Sequence, residues 1–162
     1  MRPNKRPISL LVTALIAILA VAAVAVAANP HFLRASASGP DRNGELSVNF
    51  KIAGLGDNAT ITVTASADAT AVYACRNNGG NFPSDPKKTE VSGPVSASGD
   101  FTSGKNGQVS GSLTVSPPAT TLSCPGGQRR VLVSVSYSSV EVTGGGDTAT
   151  IPGTFSRVFF DI

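Results

Sequence analysis

Tryptophan is absent from this chain of 162 residues, and it holds one histidine, one methionine and two cysteines. Each shortage removes a chemistry. A Ser-His-Asp relay needs a histidine placed to carry a proton, and the only one, His31, stands just behind the N-terminal apolar run. Zinc sites draw on several Cys and His ligands, and only His31 is left once Cys75 and Cys124 pair. The two tyrosines, Tyr73 and Tyr137, fall inside strand-patterned segments, so the flat aromatic platforms of many carbohydrate modules are missing as well. Acidic residues are scattered singly, with Asp68, Asp100 and Glu141 at positions that read as solvent-facing. A glycosidase needs two carboxylates across a cleft. The Gly144–Gly146 and Gly126–Gly127 clusters lie between strands, whereas a phosphate cradle precedes a helix.

Calcium needs only oxygen ligands, which brings Asp57 with Asn58, and Asp147, into view. Neither stretch has the repeated spacing of a dedicated loop, and turn geometry explains both. The expectation is a non-enzymatic protein with no metal and no cofactor. The alternative is a secreted enzyme, polysaccharide-active or another hydrolase, with a site of unfamiliar form.

What is present begins with a leader. Arg2, Lys5 and Arg6 precede an apolar run from Ile8 to Ala28 that closes on small residues, Ala25-Val26-Ala27-Ala28. That is the pattern of a secretory signal peptide over 1–28; the alternative is an N-terminal membrane anchor with the domain outside. Of 13 Lys+Arg in the chain, three lie in this leader, which leaves 10 against 10 Asp+Glu. The basic pI therefore belongs to the leader, and no nucleic-acid footprint remains. No membrane contact is expected after cleavage.

Residues 29–43, NPHFLRASASGPDR and the asparagine that follows, read as a flexible lead-in or a weak edge segment. From 44 to 162 the chain alternates. Leu46, Val48, Phe50 and Ile52 share one face of a first strand. Ile61 to Cys75 is apolar at every odd position, with Thr, Ser or Asp at the even positions up to Thr70; period-2 patterning marks a long strand, bent near Asp68. A third strand covers about Thr89 to Thr102. Lys105-Asn106-Gly107 then makes a hairpin-type turn, and Val109, Leu113 and Val115 form a fourth strand. Val131 to Tyr137 shares one phase and Val140 with Val142 the other, which predicts a bulge at Ser138–Ser139. A sixth strand ends in RVFFDI. The fold class is all-β: a single antiparallel sandwich, immunoglobulin-like, or a flattened barrel, of about six strands.

Two cysteines in an exported chain form one disulfide, Cys75–Cys124. With strands alternating in direction, strand two ends and strand five begins at the same end, so the bridge fits. It clamps loops 76–88 and 116–128 together there. Arg76, Lys87, Lys88, Arg129 and Arg130 gather at that end with the amides of Asn77 and Asn81, a candidate patch for a cell-wall or surface polymer, or another extracellular protein. Gly79 and Gly80 are expected to take positive φ. Asn77 and Asn78 are expected to hold the turn through their side chains.

Tyr73-Ala74-Cys75 has the spacing of the Tyr-x-Cys corner of immunoglobulin domains, but it carries the first cysteine, and no Trp accompanies it. A broader resemblance rests on AGLGDN, ATAVYACRNNGGN, VSGPVSASG, GKNGQ, LTVSPP and LSCPGGQ. In these segments, from about Glu45 onward, the chain resembles a group of small secreted bacterial β-rich proteins with one disulfide and no assigned activity. The resemblance implies export and a shared β fold, and it supplies no substrate.

Overall fold

The computed structural model describes residues 29–162; the expected export signal, residues 1–28, lies outside the described residues. Every helix-or-strand element among them is a strand: β1 His31–Ser38, β2 Leu46–Ala53, β3 Thr60–Asn77, β4 Lys88–Thr102, β5 Val109–Val115, β6 Gln128–Gly144, β7 Asp147–Ile151 and β8 Phe155–Val158. No helix among the described residues is long and apolar enough to cross a membrane. The strands form two antiparallel sheets, β1-β2-β5 and β4-β3-β6-β7, with β8 also paired to β6. No ladder joins one sheet to the other, so the domain is a sandwich rather than a closed barrel.

Side-chain size explains how the sheets close. The inner face of β3 is mostly alanine, with Ala65, Ala67, Ala69 and Ala71 all buried. The other sheet supplies the bulk, with Leu46, Val48, Phe50 and Ile52 of β2 buried in the same core. Small residues against large ones let the layers interdigitate without voids. On the outer face the even positions of β3 pair through hydroxyls: Thr60 with Thr102 at 2.8 Å, Thr64 with Ser98 at 2.8 Å, and Thr70 with Ser92 at 2.9 Å.

The change of phase in β6 is real. Tyr137 and Val140 are both fully buried, Ser139 takes φ 51°, and the β3–β6 register shifts between Ser66 and Asp68. A bulge lets two residues oppose one and so bends both strands.

Three elements differ from the sequence reading. Residues 31–38 are paired along β2 from His31–Ala53 to Ser38–Ser47, so the first sheet starts ahead of Gly44. Alanine and serine have weak strand preference alone; the ladder with β2 supplies what they lack. The last strand is two, because Pro152 offers no N–H and Gly153 sits at φ 112°. The turn at 105–107 forms, with Gly107 at φ 67° and its N–H donating to the Gly104 carbonyl at 2.9 Å. Its flanking strands, however, lie in different sheets, so it is an arch over the edge of the sandwich and not a ladder hairpin.

Candidate functional site

The two long loops meet as the strand directions require. β3 and β6 are antiparallel neighbours, with Cys75 across from Arg130. Cys75 is bonded to Cys124 with the Cα atoms 5.5 Å apart. The Cys75 N–H donates to the Lys87 carbonyl at 2.8 Å, which fixes the start of β4 against the bridge.

The loop between β3 and β4 closes through its backbone. Asn77 N–H donates to Asn81 O at 2.9 Å, Gly80 N–H to Asn77 O at 2.9 Å, and Asn78 N–H to Gly127 O at 3.0 Å. Gly80 has φ 91° as expected, whereas Gly79 does not enter the left-handed region. The expected asparagine side-chain bonds give way to these main-chain ones. Asn81 leaves its side chain exposed, and Asn77 is half-buried beside Gln128 in the ladder.

Strand alternation divides the five expected cations into two groups. Cys75 faces inward, and Arg130, its ladder partner, lies on the same side. Arg130 donates from one terminal nitrogen to the carbonyls of Thr120 at 3.0 Å and Leu122 at 3.2 Å. Lys87 Nζ donates to the Ser123 carbonyl at 3.0 Å. The Tyr73 hydroxyl donates to Pro118 O at 2.9 Å. Burial pushes the Tyr73 phenol above its ordinary value, and the nearby Arg130 charge opposes that rise. Lys87, Arg130 and Tyr73 therefore pin the segment 118–123, next to Cys124, from three directions.

Arg76, Arg129 and Lys88 occupy the outer face. Arg76 stands directly across from Arg129, and Lys88 lies across from Ala74 in the next outward row. Arg76 is half-buried; its Nε donates to Gly80 O at 2.6 Å. Its guanidinium carbon lies 4.6 Å from the Phe160 ring centroid and 5.5 Å from that of Phe82. The two rings meet edge to face at 5.5 Å. Such contacts hold a guanidinium in place without cancelling its charge. A shallow groove of about 370 Å³ adjoins Lys88, walled by Val72, Thr89, Glu90 and Ile162.

Phe82 and Phe160 were not among the residues that sequence reasoning singled out. They are far apart in the chain, and neither has a pattern that marks it as the other's partner. What the outer face offers chemically is a set of N–H donors from two planar guanidiniums and an ammonium, suited to an anionic group.

The other candidate groups have structural employment. Asp147 accepts from the Phe32 N–H at 3.1 Å and the Thr148 N–H at 2.9 Å, tying β7 to β1. Asn58 takes φ 50° in the exposed turn that follows β2. His31 Nδ1 lies 3.0 Å from the Asn29 carbonyl, a contact that the exposed ring makes with its own strand entry. Comparison with known protein families, with curated proteins and with solved structures finds no match for this chain.

Proposed function

We propose that this is an exported, non-enzymatic binding domain that contacts an anionic extracellular macromolecule, such as a surface polymer, through the outer face of its disulfide-clamped end. Arg76, Arg129 and Lys88 make the contact. Lys87 and Arg130 keep the loops in place behind them. The observation that carries the reading is the direct opposition of Arg76 and Arg129 across adjacent central strands. Like charges placed opposite each other destabilise a ladder, so a pair kept there is of use to something other than the fold. The two rings around Arg76 add to this, because they hold its guanidinium ready instead of neutralising it.

Export is supported by the disulfide, a bond that persists in oxidising compartments, and by the leader pattern of residues 1–28. A bacterial host and an immunoglobulin-like kinship belong to the same proposal. The kinship rests on two facing antiparallel sheets joined by repeated crossings.

One experiment tests both parts. Protein recovered from outside the cell should begin near Asn29, and it should be retained on an acidic surface-polymer fraction at low salt and released at high salt. The variant R76Q/R129Q/K88Q should pass through unretained while keeping the wild-type fold, checked by its circular dichroism. Equal retention of variant and wild type rejects the binding face, and material starting at Met1 rejects cleavage.

A further inference from the structure

Among the described residues, a charged side chain stands directly opposite another in only two places in the ladders, and both are cation against cation. One is the Arg76–Arg129 pair. The second is Arg34 on β1 against Lys51 on β2, in the other sheet. From the second pair we infer an acidic-polysaccharide site on the outer face of the three-stranded sheet, separate from the disulfide end. Sequence reading passed over it because Arg34 falls in the stretch that looks like a lead-in; only the β1–β2 register brings it to Lys51.

The surroundings suit an anion. None of β1, β2 or β5 contains an aspartate or glutamate; the carboxylate that reaches β1 from the larger sheet, Asp147 of β7, is engaged by the Phe32 and Thr148 N–H groups. The β1–β2 register shifts between Phe32 and Arg34, an irregularity that re-aims side chains. It turns Leu33 outward beside Arg34, half exposed. A groove of about 470 Å³ results, bounded by Leu33, Arg34, Asn49, Lys51 and Ser110.

The neighbours identify the kind of anion. A carboxylate seated between Arg34 and Lys51 receives charge-assisted hydrogen bonds. Asn49 and Ser110 lie within the same groove to meet hydroxyls of the attached sugars, and Leu33 offers an aliphatic surface to a ring. A bilayer is a poorer occupant, since one exposed leucine buries far too little apolar surface to hold a membrane interface. Single-stranded nucleic acid is poorer as well: two cations neutralise two phosphates, and base stacking needs an exposed ring. The one aromatic residue of the groove, Phe50, is only 3% exposed.

The test is a titration of the isotopically labelled full chain with a galacturonic-acid oligomer, followed through backbone amide shifts. The amides of Arg34, Asn49, Lys51 and Ser110 should move together and saturate, and R34Q/K51Q should weaken that binding at least tenfold. R34K/K51R should retain most of it. R76Q/R129Q should leave these shifts intact, so failure of the disulfide-end reading and failure of this one give different footprints. Equal shifts in R34Q/K51Q and wild type overturn the site. So does the same footprint from neutral dextran, or from vesicles of anionic phospholipid with no response to the oligomer.

Discussion

The two ends of the sandwich are closed by different means. At the end where Ala53 leads into β3, short turns fold back on each other through backbone and one small side chain. Ser103, 2% exposed, donates its hydroxyl to Gly56 O at 2.6 Å and accepts the Ala59 N–H at 3.0 Å. Leu55 N–H donates to Gly107 O at 3.0 Å. Gly54 can enter this packing only as glycine: it takes φ 79°, and a Cβ there would run into the Asn29 carbonyl.

At the opposite end β3, β4 and β6 run on past the smaller sheet. Tyr137 marks the rim, its buried hydroxyl donating to Gly44 O at 2.7 Å and reaching Val115 O at 3.3 Å. Burial, with lesser contributions from Tyr73, Glu45 and Asp41, pushes the Tyr137 phenol far above its ordinary range. Beyond that rim no second sheet among the described residues covers the larger one, and long side chains with a covalent bond stand in for it. One end is closed by local geometry, the other by reach. An end closed by reach leaves strand termini and charged groups accessible, and the proposed binding face, carried by the Arg76–Arg129 opposition, lies there.

If that contrast is right, damage at one end should stay there. The largest effect belongs to the bridge. C75S/C124S removes a link across a sequence separation of 49 residues and should lower stability by about 4 kcal/mol in the chain-entropy model. Denaturant unfolding gives the loss. Hydrogen exchange should show loops 78–87 and 116–127 opening first, while the amides around Ser103 keep their protection; uniform loosening of both ends refutes the division. S103A is the matching change at the turn end. It leaves the Ala59 N–H and the Gly56 carbonyl without a partner, a cost of about 1–3 kcal/mol. Exchange should rise at 54–59 and 103–108 and remain unchanged near the disulfide.

The smallest effect lies at the rim and depends on pH. Asp41 Oδ1 accepts from Glu45 N–H at 2.9 Å and from Asn43 N–H at 2.8 Å. These bonds, with the Arg42 and Arg157 charges, hold its carboxyl below the ordinary aspartate value, against a smaller opposing desolvation. A carboxyl whose folded pKa is depressed contributes stability that is fully present above its unfolded pKa and is lost as pH falls through the folded value. Acidification below the usual aspartate range should therefore lower the protection factors of the Asn43 and Glu45 amides, taken relative to their intrinsic exchange at each pH, and D41N should abolish that pH dependence. An unchanged acid response in D41N would falsify the assignment to Asp41.

Much of this was legible in the chain itself. The odd-position apolar run from Ile61 to Cys75 named both the longest strand and its buried face, because a pleated strand turns successive side chains to opposite sides whatever it pairs with. The phase change between Tyr137 and Val140 named the bulge for the same reason. Arg34 shows where that reading stops: its neighbours Ala35, Ser36, Ala37 and Ser38 lack the contrast that marks a strand, and β1 exists through its ladder with β2. The five cations near the disulfide show a second limit. Sequence placed them at one end of the molecule, but whether each faced a loop carbonyl or solvent turned on register and on which side of the sheet it fell.

The sequence by itself thus determined the period-2 strands, the paired cysteines and the shared end of the two long loops, since alternation, turn chemistry and chain direction are local properties that each segment carries alone. Only the tertiary structure decided that Arg76 opposes Arg129 and Arg34 opposes Lys51, that Phe82 and Phe160 flank one guanidinium, and that Lys87 and Arg130 are taken up by the loop. Those relations join residues from distant parts of the chain, and their register is set by how two whole faces pack, a quantity that no single segment contains.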